Sequence, residues 1–181
     1  MKIAFLLVAA AASIFTPSKV TPSILENNAP LEEEVRCLAE NIYFEARNES
    51  VMGQIAVAYV TLNRVFAPKH PDTICGVVKQ GEYKESWKTK ATKDPSDAIF
   101  IPVKDRCQFS WYCDGKSDKV LDLVAWKSAV NVAAMVTVEY GSKRHNDPTD
   151  GALWYHADYV QSKFHSKLIY TTTIGTHIFY R

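Results

Sequence analysis

Ten consecutive residues, Gly53-Gln54-Ile55-Ala56-Val57-Ala58-Tyr59-Val60-Thr61-Leu62, constrain this chain more than any other stretch. They carry no charge and are apolar on nearly every side of a helix, and a helix apolar all round is a buried one. Gly53, Ala56 and Ala58 are small enough to let neighbouring elements come close. A helix enclosed on all sides needs other elements to enclose it. With 181 residues, 47% hydrophobic and 23% charged, the chain has the size and composition of one globular domain with a real core.

The segment before it supplies a neighbour. Pro30 suits a first helical position, and Glu32, Glu33 and Glu34 favour the positive end of the helix dipole. Leu31, Val35, Leu38 and Ile42 follow helical spacing, and Glu45 projects from that apolar face while Glu40 points away. The helix breaks at Arg47-Asn48-Glu49-Ser50, where Asn48 or Ser50 can cap the next one. A carboxylate placed like Glu45 is partly desolvated and near the negative end of its own helix, and both effects raise its pKa. That suits a general acid near neutrality. The alternative is an ion pair with Arg47 or Arg64.

At these residues the chain resembles the spore cortex-lytic type of cell wall hydrolase, a family also found as phage lysins. Tyr43-Phe44-Glu45-Ala46-Arg47, Gly53 to Ala58 and Leu62-Asn63-Arg64-Val65 look like its first signature. Pro71 to Val78, Cys107-Gln108-Phe109-Ser110-Trp111 and Gly175 to Tyr180 look like the later ones, in order. The resemblance implies an α+β, mainly α, lysozyme-like fold with a small antiparallel sheet. It also implies cleavage of peptidoglycan glycan strands, with Glu45 as the catalytic acid. Phe44 and Asn48 stand where glycine is expected, so Phe44 is expected to narrow the cleft.

The chain starts differently. Lys2 precedes an apolar run, Ile3 to Phe15, about as long as a secretory h-region. Residues 1–20 therefore read as a signal peptide or signal anchor, 21–30 as a linker, and 31–181 as one catalytic domain; a buried N-terminal helix is the alternative. Export makes an even cysteine count suggest disulfides, and Cys37–Cys75 with Cys107–Cys113 pairs near neighbours. Zinc ligation and free buried thiols are the competing readings, although no Cys-x-x-Cys or His-Glu-x-x-His spacing occurs.

Residues 81–105 lose helical periodicity and carry Lys84, Lys88, Lys90, Lys93 and Lys104, reading as a solvated loop or as a basic lip beside a cleft, with Trp87 stacking there. Gln108, Ser110 and Trp111 offer an amide, a hydroxyl and an indole, groups suited to sugar recognition or to packing. Residues 120–140 read as a core helix along Leu123, Trp126, Val130, Ala133 and Tyr140, ended by Gly141. Ser142 to Asp150 reads as a loop. Two β-rich runs, Ala152 to His156 and Ile169 to Ile174, precede a turn at Gly175 and a last strand.

Three functions follow. The first is cleavage between N-acetylmuramic acid and N-acetylglucosamine. The resemblance favours lytic transglycosylation with Glu45 as acid and then base, and with Tyr155 and His177 orienting the sugar. A hydrolytic muramidase would need a second carboxylate from Glu49, Asp114, Asp150 or Asp158. The second is a cysteine peptidase, or a zinc amidase using His145, His156, His165 or His177. The third is a wall-binding module. Expected partners are peptidoglycan and, transiently, a membrane through the N-terminal segment. The net charge of +1 gives no reason to expect nucleic acid. No cofactor or metal is expected, the protein is expected to be a monomer, and its place is periplasmic or secreted, or the host periplasm if phage-encoded.

Overall fold

The computed structural model describes residues 29–91, 95–142, 146–161 and 167–181. The expected export segment, most of its linker, Lys93, His145 and His165 lie outside them.

Helix α1 spans Ala29–Ala46 and α2 spans Val51–Val65. Ser50 caps α2, its hydroxyl accepting the Gly53 N–H at 3.3 Å. On α1, Leu38 and Ile42 are fully buried, as their spacing predicts. Fully burying each contributes roughly 1.5–3 kcal/mol. Helix α2 is buried from Ala56 to Leu62 without interruption. The short helix α3 (Ile74–Val78) is capped by Thr73, whose hydroxyl accepts the Gly76 N–H. Glu34 also leaves the role expected of it: its carboxylate accepts the N–H groups of Ile74 and Cys75, joining α1 to α3. The Cys37–Cys75 disulfide fixes the same junction.

Helix α5 (Leu123–Gly141) closes the helical core, laying Ala129, Val132, Ala133 and Val136 against α1 and α2. Its buried stripe shares only Ala133 with the one the sequence suggested. Trp126, Val130 and Tyr140 lie at the edge of the core, and Leu123 is 73% exposed. A helix apolar on most sides does not announce which face is buried, and here the small residues permit the closest approach. Gly141 is the last helical residue, and Ser142 is the cap.

A second, smaller core lies on the other side of α2, where Ala56 and Val60 meet Ala152 and Phe179. Phe179 belongs to a three-stranded antiparallel sheet ordered β3 (Trp154–Ala157), β5 (His177–Tyr180), β4 (Tyr170–Ile174). Gly175 turns β4 into β5 with φ of 59°. The fold is thus the expected α+β, mainly α, arrangement.

Residues 81–105 are not a loop. β1 (Gly81–Glu85) and β2 (Phe100–Cys107) pair antiparallel, with the four-residue helix α4 (Trp87–Lys90) between them. Both strands are largely exposed on both faces, so no alternation of apolar and polar residues reveals them. Nor is this arm a basic lip. Lys84, Lys88, Lys90 and Lys104 are matched by Glu82, Glu85, Asp97 and Asp105, and none of the four lysines lines the cleft described below. Trp87 is 76% exposed and stands beside Lys88, away from the cleft.

Among the described residues no helix is long and apolar enough to cross a membrane.

Candidate active site

The last turn of α1, the segment from Ser110 to Asp122, and strands β3 and β5 enclose a cleft of about 890 Å³. Glu45 lies in it, half-buried, where the spacing of α1 directs it. The Tyr155 hydroxyl donates to Glu45 Oε2 at 3.0 Å. Burial pushes the Glu45 carboxyl above the usual carboxylate range, while the Tyr155 hydrogen bond and the positive charge of Arg64 pull it part of the way back. Among the described residues Glu45 makes no ion pair within 4 Å, so the ion-pair reading gives way to this arrangement.

From the sequence, Arg64 stands out only as an ion-pair partner for Glu45. It is 3% exposed, on the last turn of α2. Its Nε donates to the Leu153 carbonyl at 2.8 Å, just before β3, and its guanidinium lies 5.0 Å from the centre of the Phe109 ring. An arginine keeps its charge even when buried, so it sets a fixed positive potential behind Glu45 and Tyr155.

Tyr155 lies opposite Phe179 in the β3–β5 ladder, and His177 is its diagonal neighbour. The Tyr155 and His177 rings meet edge to face at 5.1 Å. Burial lowers the His177 pKa, opposed by the charges of Glu49 and Asp158 and reinforced by His156. Glu49 reaches across from the α1–α2 connection to the β4–β5 turn. Its carboxylate accepts from the Thr176 hydroxyl and N–H, and stands 4.0 Å from His177 Nδ1. It fills the space where a side chain at Gly175 would lie.

On the opposite wall, Trp111 stacks on Phe44 with ring centres 4.6 Å apart. Its indole N–H donates to Asn41 Oδ1 at 3.0 Å, and Asn41, fully buried, donates to Thr61. Tyr43 holds the next stretch of this wall, its hydroxyl oxygen accepting the N–H groups of Leu121 and Asp122. The Cys107–Cys113 disulfide closes the loop that carries Trp111. Phe44 therefore shapes the wall by covering one face of Trp111.

Of the residues expected to touch a sugar, Ser110, Trp111, Tyr155 and His177 line the cleft together with Glu45. Gln108 does not. It is exposed, and its backbone N–H donates to Gln80. Of the expected second carboxylates, Asp114 alone lines the cleft, held below its usual pKa chiefly by the Lys116 backbone N–H. Asp150 pairs with Arg181. Asp118 and Asp122, not singled out in the sequence, also line the cleft, but Asp122 accepts the N–H groups of Val124 and Ala125 as the cap of α5. All four cysteines are in the two expected disulfides, which leaves no thiolate nucleophile. No cluster of three metal-ligating side chains occurs among the described residues.

Comparison with known proteins adds to this geometry. The profile of the Cell Wall Hydrolase family matches residues 48–180, beginning just after Glu45. The spore cortex-lytic enzyme of Halalkalibacterium halodurans is 43% identical over 47 residues, 26% of this chain and 14% of that protein. The matched stretch is thus about a seventh of that relative. The catalytic domain of the Bacillus cereus SleB protein has a similar fold, with a TM-score of 0.51 at 23% identity over 95% of this chain and 100% of that one. The catalytic domain of the germination-specific lytic transglycosylase SleB from Bacillus anthracis gives 0.51 at 26% identity over 82% of this chain and 93% of that one.

Proposed function

Since the chain belongs to the cell wall hydrolase family, we propose that it cleaves the glycan strands of peptidoglycan by lytic transglycosylation, with Glu45 as acid/base. The bond broken joins N-acetylmuramic acid to N-acetylglucosamine. Glu45 protonates the bridging oxygen, C1 of the muramyl ring gains oxocarbenium character, and the muramyl 6-hydroxyl closes onto C1 in place of water. The 6-hydroxyl gives up its proton as it closes, and that proton ends on the Glu45 carboxylate, so the enzyme returns to its starting state. The observation that carries this reading is the Glu45 carboxyl, its pKa pushed above the usual carboxylate range by burial, lining a polymer-sized cleft. The Tyr155 hydroxyl steadies it in both protonation states. The relatives named as cortex-lytic enzymes and as a lytic transglycosylase support the same chemistry.

Ser110, Trp111, Tyr155 and His177 are the proposed sugar-contacting residues, and Gln108 acts by shaping the loop that carries two of them. The catalytic domain in this reading is residues 31–181, following a signal peptide or signal anchor in 1–20 and a linker in 21–30. The two disulfides favour an exported protein, acting in the periplasm or outside the cell.

Digestion of purified sacculi in ¹⁸O-water tests the reaction. The expected products end in 1,6-anhydro-N-acetylmuramic acid and carry no label. Label at the new muramyl end would make water the nucleophile. A second reading, hydrolysis with Asp114 as the partner carboxylate, would then hold, because Asp114 shares the cleft and is kept ionised.

A further inference from the structure

Two buried polar atoms at the site have no hydrogen-bond partner among the described residues, Arg64 Nη1 behind the cleft and His177 Nδ1, and of the two only His177 lines the cleft. The ring is 8% exposed and still lines the cleft. Nδ1 is buried, 4.0 Å from Glu49 Oε1, and His177 lines the cleft, so Nε2 is the nitrogen available to a bound substrate. Thr176 holds the Glu49 carboxylate through its hydroxyl and N–H, and the side chain occupies the space that a side chain at Gly53 or Gly175 would fill. A carboxylate behind one imidazole nitrogen, with the other nitrogen facing substrate, orients a histidine as a base.

We propose that His177, backed by Glu49, takes the proton from the attacking 6-hydroxyl while Glu45 gives its own to the leaving oxygen. This rests on the glycan-cleaving reading and divides the proton traffic around its oxocarbenium-like centre, with Glu45 as the acid that recovers its proton from His177. The O6–C1 bond forms and the C1–O4 bond breaks. The O6 proton passes to His177 Nε2, and the Glu45 proton passes to O4. Imidazolium and carboxylate then neutralise each other by proton transfer through the Tyr155 hydroxyl or solvent, so the enzyme returns unchanged and no water is consumed. Departure and attack occur on the same face of the muramyl ring, which requires acid and base on one wall. Glu45 and His177 satisfy this, separated only by Tyr155.

The groups facing the His177 ring are Glu49 from the α1–α2 connection, Tyr155 and His156 from β3, and Asp158 just beyond it. Burial keeps the imidazole neutral at neutral pH, the form a base needs. Glu49 acts through His177 and touches no substrate; it is a positioning residue.

The test compares wild type, His177→Ala, Glu49→Gln and Glu45→Gln on purified sacculi, reading anhydro-muramyl ends and the pH dependence of kcat/KM. His177→Ala should lose about 10²–10⁴-fold in rate, together with the acidic limb of the wild-type profile. Added imidazole that restores turnover in proportion to its neutral form supports the assignment further. Glu49→Gln removes a charge that favours imidazolium, so its acidic limb should move to lower pH. A His177→Ala enzyme at wild-type rate overturns the proposal, as does a slowed one whose acidic limb is intact. If Glu45→Gln is inactive while His177→Ala is unimpaired, only this assignment fails. If wild type releases no glycan fragments, both fail.

Discussion

Glutamine at position 45 keeps the shape of the acid and loses the useful proton. The rate should fall at least about 10²–10⁴-fold, while circular dichroism shows an unchanged fold. Stability should move the other way. The folded protein holds the Glu45 proton more tightly than the unfolded chain does, so the stability this gives is present in acid and is lost as pH rises through the folded pKa. Glu45→Gln should therefore be the more stable protein near neutrality, with the gap closing below the usual carboxylate range; urea unfolding at several pH values measures this. Tyr155→Phe removes a hydrogen bond that lowers the Glu45 pKa. The acid then stays protonated further into alkali, and the alkaline limb of kcat/KM should shift upward. Helical spacing alone placed Glu45 on the buried face of α1. The same reasoning could not find the role of Glu49, because its partner, Thr176, lies 127 residues along the chain.

At the scale of elements, the cleft wall around Trp111 joins recognition to stability. Trp111→Ala empties the Phe44 stack and strands Asn41 Oδ1, at a cost of about 3–5 kcal/mol in chemical unfolding, with weaker sugar binding in addition. Removing Cys37–Cys75 should cost roughly 4 kcal/mol and removing Cys107–Cys113 roughly 2 kcal/mol, following the lengths of the loops they close. Double Cys→Ser variants measured by chemical unfolding give both values. Both pairings were legible from spacing, and so were the strands around Gly175, whose β-branched and aromatic runs are dense. The β1–β2 arm was not legible, because strands wet on both faces carry no periodic signature. Its lysines suggested a charged lip only while the acidic residues among them went uncounted. The core face of α5 was hidden for the opposite reason, an excess of apolar residues.

At the scale of the whole molecule, one buried helix was enough to announce a core, but not that it would serve two. Ala58, Tyr59 and Leu62 of α2 pack into the helical body, and Ala56 and Val60 pack beneath the sheet. The residues that face each way alternate within two turns, so a wheel diagram shows only uniform greasiness. This shared helix has a mechanical consequence. Glu45 comes from the helical body and Tyr155 from the sheet, yet no hinge can run between them without splitting α2 from one of its cores. The enzyme should behave as a fixed jaw that a polymer enters sideways, with no closing stroke in its turnover. Native-state hydrogen exchange measures the rigidity directly. Amides in α2 and in β5 should share a single, global opening free energy, whereas a lower value confined to β3–β5 would reveal a jaw that flexes.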